Sequence, residues 1–185
     1  MQLQLPAQLP AGLPANPRPL LLVDVDAVSH GLAEGQERTR ATNATVGAAL
    51  ETAQTAARSF NADHYQVLWA ASTATARCHL DLITRSANNL WAIRRGLDGA
   101  DKALLEELND LVDARTAATR KWHAHGRPHA DIVILVGQDH AYAPAIASLR
   151  LLGIPTWILQ PGRYIAADLY RAAMHVTPLT RALAA

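Results

Sequence analysis

Several features are scarce in this chain, and each scarcity excludes a class of protein. The single cysteine, Cys78, cannot form a disulfide within the chain, which is typical of a reducing compartment. Charged residues make up 18% of the sequence and the formal net charge is +1. That near-neutrality argues against strong, sequence-independent binding to nucleic acid, which usually requires a pronounced basic excess. Aromatic residues make up only 5%, so the stacking side chains common in single-strand binders are few.

Long hydrophobic runs are also missing. No uninterrupted apolar segment approaches the ~20 residues that a membrane-spanning helix needs, and the most apolar part, 130–160, is broken by polar residues, glycine and proline. The first nineteen residues hold five of the ten prolines and no basic residue before Arg18, which is unlike a secretory signal. The sequence therefore predicts a cytoplasmic protein without a membrane partner. It also predicts a disordered Pro-rich tail over 1–18 and a single domain over 19–180.

Short apolar segments alternate with helical patterns along the rest of the chain. The segments predicted to be β-strands are 20–26, 65–71, 90–93, 132–136, 156–159 and, as an edge strand, 175–176. Helices are predicted at 36–60, 99–120, 140–152 and 165–173, a loop at 27–35, and an ambiguous segment at 73–87. This alternation predicts an α/β fold, a three-layer sandwich with a central, mainly parallel sheet of five or six strands.

Three of the predicted strands lead into aspartate. Asp24 and Asp26 end the first strand, Asp101 follows the third and Asp139 follows the fourth. Two residues apart on a strand, Asp24 and Asp26 are expected to face the same side. The functional crevice of a parallel sheet lies beyond the carboxyl ends of its strands, so the carboxylates are expected to meet there. Clustered carboxylates repel unless a cation lies among them, and the pattern therefore predicts a divalent metal site.

Each of these aspartates also has a purely structural explanation. Asp98 and Asp101 open the helix predicted at 99–120, where capping and the helix dipole favour acidic side chains, and we favour capping for Asp98. Asp139 equally fits the N-cap of the next helix. Solvated positions at a strand end would account for the first two aspartates.

A basic loop is predicted over 121–129, and it contains His123, His125 and His129. Histidines without cysteines or a paired upstream motif are weak evidence of a zinc site. A loop that precedes a strand lies at the edge opposite the carboxyl ends. We therefore interpret these residues as a surface loop, and we exclude Asp131, which opens the fourth strand at that same edge.

The motifs stand in an order that matches a known family. They read LLVDVD from Leu21, GADKALL from Gly99, ILVGQDHAYAP from Ile134 and LRLLGIP from Leu149. In this order and context the chain resembles the NYN domains of the PIN-like ribonuclease superfamily, over roughly residues 20–176. Those domains are single α/β units with a parallel sheet, and their characterised members are mostly metal-dependent ribonucleases.

The resemblance implies a metal-dependent ribonuclease, with Mg²⁺ or Mn²⁺ as cofactor and RNA as partner. By position, Asp24, Asp101 and Asp139 correspond to the family's acidic residues, which bind the metal and carry catalysis. Asp26 stands where many members have a further acid, and it joins the predicted metal ligands.

Basic residues flank the predicted cleft. Arg94, Arg95 and Lys102 lie before and after the acidic motif in the middle of the chain, and His140 follows Asp139. Because the planar fork of arginine suits phosphate, we predict that these basic side chains bind the substrate. Three further arginines follow strands two and five: Arg77, Arg85 and Arg163.

Two positions depart from the family pattern. Ala27 stands where asparagine is common, and Ala141 replaces the second acid of an Asp-x-Asp pair. These departures support a second hypothesis, a catalytically weakened PIN-like domain that binds RNA or a protein. A third, another hydrolase or nucleotide-binding protein of this layered type, is weakened because no glycine-rich phosphate loop is present. The apolar face of the helix predicted at 36–60 fits either packing on the sheet or a homodimer interface. Tyr142 either stacks on a base or packs in the core.

Overall fold

The computed structural model of the 185-residue chain describes residues 13–33, 40–86, 90–119 and 129–179. The strands within these ranges are β1 Pro19–Asp24, β2 Gln66–Ser72, β3 Leu90–Arg94, β4 Ile132–Val136, β5 Thr156–Gln160 and β6 His175–Pro178. They form one sheet in the order β3-β2-β1-β4-β5-β6, and every neighbouring pair is parallel. The helices are α1 Val25–Gly31, α2 Asn43–Phe60, α3 Thr73–Cys78, α4 Leu80–Arg85, α5 Gly99–Thr119, α6 Ala143–Leu151 and α7 Ala167–Ala172.

Helices cover both faces of the sheet, which confirms the predicted α/β three-layer sandwich. Successive strand residues point to opposite faces. Leu22 and Leu135 pack with residues of α5, α6 and α7 on one face, while Val23 and Ile134 pack with residues of α1 and α2 on the other. The strands at the centre are apolar on both faces for this reason, as expected for a buried parallel sheet.

The apolar face of α2 packs on the sheet. Val46, Leu50 and Ala53 are fully buried on this face. Of the two alternatives for this apolar face, packing on the sheet and a homodimer interface, the structure shows packing on the sheet. The helix begins at Asn43 rather than at 36, because the side chain of Thr42 caps it and accepts the N–H of Thr45 at 3.2 Å. Residues 36–39 of the predicted helix, and residues 34–35 of the loop predicted before it, lie outside the described residues.

The first strand ends earlier than predicted, and this changes the position of one site residue. The predicted strand 20–26 is wrong at its last two residues, and the predicted loop 27–35 is wrong over residues 27–31, because β1 stops at Asp24 and α1 begins at once. The carboxylate of Asp24 accepts the N–H of Ala27 at 2.8 Å, and this cap satisfies a helix-end donor. Asp26 consequently lies in the first turn of α1. The prediction that Asp24 and Asp26 share one face of a strand is therefore also wrong.

The helix predicted over 140–152 has two parts. A 3-10 turn, His140–Tyr142, comes first, and α6 follows it and ends before Gly153, whose φ of 76° confirms the predicted glycine stop. The ambiguous segment 73–87 forms the short helices α3 and α4, which meet at His79. The last predicted helix, 165–173, is shorter at both ends in the structure.

Arg18 and Asp131 meet at the amino edge of the sheet. The N–H of Arg18 donates to Oδ2 of Asp131 at 2.9 Å, and the guanidinium of Arg18 also contacts His129. This edge is opposite Asp24, which agrees with excluding Asp131 from the site. Residues 1–12 of the predicted tail, and His123 and His125 with the loop around them, lie outside the described residues. None of the helices described is both long enough and apolar enough to cross a bilayer.

Candidate active site at the carboxyl edge of the sheet

The candidate site lies where the strand order reverses. The chain leaves β1 through α1 on one face of the sheet, whereas it leaves the neighbouring strand β4 through α6 on the other face. A crevice opens at such a switch point, beyond the carboxyl ends of the strands. The register pairs Val23 with Val136, so Asp24 lies beside the segment Gly137–Asp139.

The hydroxyl of Tyr142 joins two of the predicted site residues. Its Oη lies 3.0 Å from Oδ2 of Asp24 and 2.5 Å from Oδ1 of Asp101. Asp24 ends β1, and Asp101 lies in the first turn of α5. The ring of Tyr142 is fully buried and close to Gly137, where an added Cβ would lie 3.2 Å from a ring carbon. The fold therefore brings Asp24 and Asp101, which are distant in sequence, to the two sides of one buried hydroxyl.

Asp24 is a buried acid. Only 4% of Asp24 is exposed, and burial raises its pKa to about 8; the N–H of Ala27 opposes this shift, the charges of Asp101 and Asp26 add to it, and the Tyr142 bond opposes it. No lysine, arginine or histidine in the described ranges forms an ion pair with Asp24. A buried carboxylate without a compensating charge favours either a bound proton or a cation.

Asp26 lies next to this pair without joining the hydroxyl. Its two carboxylate oxygens accept the N–H of Ser72, at 3.0 and 3.2 Å, and so tie the start of α1 to the end of β2. Its charge nevertheless acts on Asp24. The charge of Asp26 thus helps to raise the pKa of Asp24, and its hydrogen bonds hold the backbone of Ser72 beside the site.

Asp139 caps the 3-10 turn. Its Oδ1 accepts the N–H of Ala141 at 2.8 Å, and Nδ1 of His140 lies 3.0 Å from the same oxygen. The sequence allowed Asp139 to be either a metal ligand or the N-cap of the next helix, and this hydrogen bond is that of a cap. Asp139 lies at the same edge as Asp24, but its hydrogen bonds within the described chain do not reach Asp24 or Asp101.

A metal ion fits a smaller ligand set than the sequence predicted. Across the described ranges, no three His, Cys, Asp or Glu side chains are grouped so that they would hold a metal. The predicted four-aspartate set is thus not assembled. Mg²⁺ often binds only one or two carboxylates, however, and keeps waters or substrate phosphate oxygens as its other ligands. Asp24 and Asp101 fit that requirement: Asp24 is buried and has no cationic partner in the described part of the chain, and Asp101 is half-buried beside it.

The predicted substrate-binding residues lie on two sides of the crevice. Arg94, Arg95 and Lys102 surround the start of α5 and are exposed. The guanidinium of Arg94 is already paired with both carboxylate oxygens of Glu106, so it is less ready to bind phosphate than the other two. His140 is exposed at the β4 side, where it pairs with Asp139.

A second polar cluster lies behind the site, and no local sequence pattern pointed to it. Nε2 of His79 lies 2.8 Å from Oγ of Ser29, and Nδ1 lies 2.6 Å from Oδ1 of Asn43. Since Asn43 Oδ1 only accepts, Nδ1 carries the hydrogen and Nε2 accepts the Ser29 hydroxyl. Burial lowers the pKa of His79, as does Arg40, while Asp26 raises it.

This second cluster joins three helical segments rather than forming a reaction centre. A serine, a histidine and an amide in this order resemble a nucleophile, a base and an orienting group. Ser29 is fully buried, however, and His79 is only 2% exposed. The three side chains are therefore a clamp that fixes α1, and with it Asp26, against α2 and the α3–α4 junction.

Comparison with known proteins adds information on the fold. No family model matches the sequence, and no curated protein matches it. Among solved structures, the chain is similar to VPA0982 from Vibrio parahaemolyticus, a protein of unknown function, with a TM-score of 0.56 and 15% identity over 88% of this chain and 93% of that chain. Acinetobacter baumannii MurG matches at a TM-score of 0.39 and 18% identity, over 88% of this chain and 43% of that chain. The first similarity shows the fold alone, and the second is too low to carry an argument. The resemblance to NYN domains stays a prediction.

Proposed function

We propose that this chain is a metal-dependent ribonuclease, which hydrolyses RNA phosphodiester bonds with Mg²⁺ or Mn²⁺ held by Asp24 and Asp101. The observation that supports this best is the convergence of the two carboxylates on the Tyr142 hydroxyl at the switch point of the sheet. The buried acid Asp24, which forms no ion pair with a cation among the described residues, adds to it. With one cysteine, Cys78, in the whole sequence, we place this activity in the cytoplasm.

The residues of the chain have distinct roles in this proposal. A divalent ion, when bound, would lower the pKa of a water and neutralise charge on the phosphate. Asp24 supplies a carboxylate in a water-poor position, and Asp101 supplies a more accessible one from the first turn of α5. Two exposed cations, Arg95 in the turn before α5 and Lys102 next to Asp101 in the chain, attract the RNA backbone. His140, on the other side of the crevice, is a further phosphate contact.

The proposal is tested by incubating labelled RNA and DNA with the protein in Mn²⁺, Mg²⁺ or EDTA. We expect RNA cleavage with either ion, and only background with EDTA or in the Asp101→Asn variant. Asp98→Asn is the matched control, because Asp98 is an exposed aspartate three residues earlier on the same helix start. Equal cleavage by Asp101→Asn and the parent, or cleavage that persists in EDTA, overturns the proposal.

A second candidate function is an RNA- or protein-binding module with a weakened site. Two observations favour it: Asp139 is engaged by Ala141 and His140, and the described chain holds no group of three metal-binding side chains. Thermal unfolding in a Mn²⁺ titration separates the two functions. A bound ion stabilises by about 2.7 kcal/mol at a hundredfold excess over its Kd, so a flat titration with intact RNA binding favours the module.

A further inference from the structure

The loop Gly162–Ala166, here called the β5–α7 loop, is fastened at both ends to one residue of the site. The N–H of Gly162 donates to Oε1 of Gln138 at 2.9 Å, and the N–H of Ala166 donates to the main-chain oxygen of Gln138 at 3.0 Å. Gln138 directly precedes Asp139. The loop is therefore held at the carboxyl edge, beside the β4 side of the crevice.

The base of this loop is tightly packed. Gly162 is buried, and its carbonyl accepts Nε2 of Gln160 at 2.9 Å. A Cβ placed on Gly31 would lie only 2.8 Å from the nitrogen of Gly162, so the end of α1 also touches the loop. The elements that carry Asp24 and Asp139 thus fix the loop from two sides.

Ile165 and Ala166, at the end of the loop, pack against the core, whereas the tip before them is exposed. Tyr164 is 79% exposed, and Arg163 before it is exposed as well. The loop that carries Tyr164 is fixed by its hydrogen bonds to Gln138, yet the Tyr164 ring is not buried. Packing in the core therefore does not explain the ring at this position. An exposed planar ring is the kind of side chain on which unpaired bases stack. The favoured ligand is therefore a nucleic acid strand rather than a protein surface.

We propose that the β5–α7 loop is the strand-binding element of the site, with Tyr164 stacked on an unpaired base. This inference rests on the proposed function and deepens it by naming the part of this chain that holds an unpaired segment of the RNA, on the β5 side of the crevice. Bases within a duplex have no free face for the ring, so duplex RNA does not use this element.

The test is fluorescence anisotropy with a labelled oligouridylate and with a labelled RNA duplex, in EDTA so that binding is measured without cleavage. We expect Tyr164→Ala to weaken single-strand binding by about five- to a hundredfold, the effect of one lost stacking contact, and to leave duplex binding unchanged. Tyr164→Phe keeps the ring and should restore parent affinity. Tyr170→Ala, at a tyrosine that is 61% exposed on α7, is the control and should bind like the parent.

Several outcomes overturn the inference: parent-like single-strand binding by Tyr164→Ala, an equal loss in Tyr170→Ala, or an equal loss on the duplex. Cleavage assays with Mn²⁺ separate it from the proposed function. If Tyr164→Ala loses affinity and the parent does not cleave RNA, the loop inference stands and the nuclease proposal fails. If the parent cleaves RNA and Tyr164→Ala leaves KM unchanged, the loop inference alone fails. A parent that binds no RNA overturns both.

Discussion

The hydroxyl of Tyr142 lies 2.5 Å from Oδ1 of Asp101, and this contact ties the turn after β4 to the first turn of α5. The same oxygen lies 3.0 Å from Asp24. A hydroxyl has one proton and can donate it to one carboxylate at a time. The raised pKa of Asp24 lets that carboxyl hold a proton near neutral pH while the Tyr142 hydroxyl donates to Asp101. Tyr142 therefore holds the two acids close together, and both would be available to hold a divalent ion.

Tyr142→Phe should weaken the fold when no divalent ion is present. The variant loses the hydroxyl and, among the described residues, leaves the Asp24 side chain with the N–H of Ala27 as its hydrogen-bond partner. We expect a loss of about 1–3 kcal/mol in the free energy of unfolding, measured by urea denaturation in EDTA. Tyr164→Phe changes an exposed ring and should match the parent. A parent-like unfolding midpoint for Tyr142→Phe contradicts the hydroxyl bridge.

Asp24 should make stability fall as the pH rises. Its pKa is about 8 in the folded state against 3.8 as the ordinary value, so between those pH values the folded state holds a proton that the unfolded state has released. The free energy of unfolding then decreases with pH by up to about 1.4 kcal/mol per unit across this window. Asp24→Asn has no such dependence and still offers an oxygen to Ala27.

The measurement for Asp24 is urea denaturation of the parent and Asp24→Asn from about pH 5 to about pH 9. The difference between the two isolates Asp24, because the contributions of His79 and Glu107, whose pKa values are also shifted, occur in both proteins. We expect Asp24→Asn to gain stability relative to the parent as the pH rises. Parallel profiles would show that Asp24 is not a buried proton site.

Two substitutions at Asp139 separate capping from catalysis. Asp139→Asn keeps an oxygen for the N–H of Ala141, so its stability should match the parent, while Asp139→Ala should lose about 1 kcal/mol with the cap. If Asp139 takes part in catalysis, as the family resemblance implies, Asp139→Asn removes RNA cleavage although the fold is intact. Normal cleavage by a stable Asp139→Asn variant would make Asp139 a capping residue only.

His79→Ala should be among the more damaging substitutions outside the site. It removes both hydrogen bonds of the clamp, leaves the hydroxyl of buried Ser29 without its partner, and opens a cavity. We expect a loss of about 2–4 kcal/mol in the free energy of unfolding. His64→Ala is the control, since His64 is exposed after α2, and it should change little. Equal stability of the two variants is the result that argues against the clamp.

Acidic pH should weaken the same clamp. The pKa of His79 is lowered in the folded state, so the folded protein favours the neutral ring and stability is lost as the pH falls below the ordinary value of about 6.5. His79→Ala should lack this loss, which urea denaturation below neutral pH detects. A parent with no greater acid sensitivity than His79→Ala contradicts a neutral ring in the clamp.

The layered fold was predictable because its signals are local. Apolar strands and amphipathic helices alternate, and the strands lie within a few residues of their predicted positions. The end of β1 was not predictable, since an aspartate after an apolar run fits a strand end and a helix cap equally, and the bond to Ala27 decides between them. The order of the strands in the sheet was also not predictable, because it depends on contacts between segments that are distant in the sequence. Leu90 and Ile93 belong to an apolar run, yet they are 66% and 46% exposed because β3 is an edge strand.

The candidate site was predictable only where topology places residues. Asp24 and Asp101 meet because parallel strands direct their carboxyl ends to one edge. The hydroxyl bridge of Tyr142 depends on the 3-10 turn that aims its ring inward, and no spacing rule in the sequence indicates that turn. The clamp of His79 draws on three separate helical segments, so its residues form no motif along the chain.

Mn²⁺ binding, measured directly by isothermal titration or by the resonance signal of free Mn²⁺, decides whether Asp24 and Asp101 form a cation site. We predict that the parent and Asp98→Asn bind the ion with the same affinity, and that Asp24→Asn and Asp101→Asn each bind it at least about tenfold more weakly, as loss of a metal-site residue commonly does. Absence of Mn²⁺ binding by the parent, or equal affinity in all four proteins, contradicts the site and the ribonuclease proposal built on it.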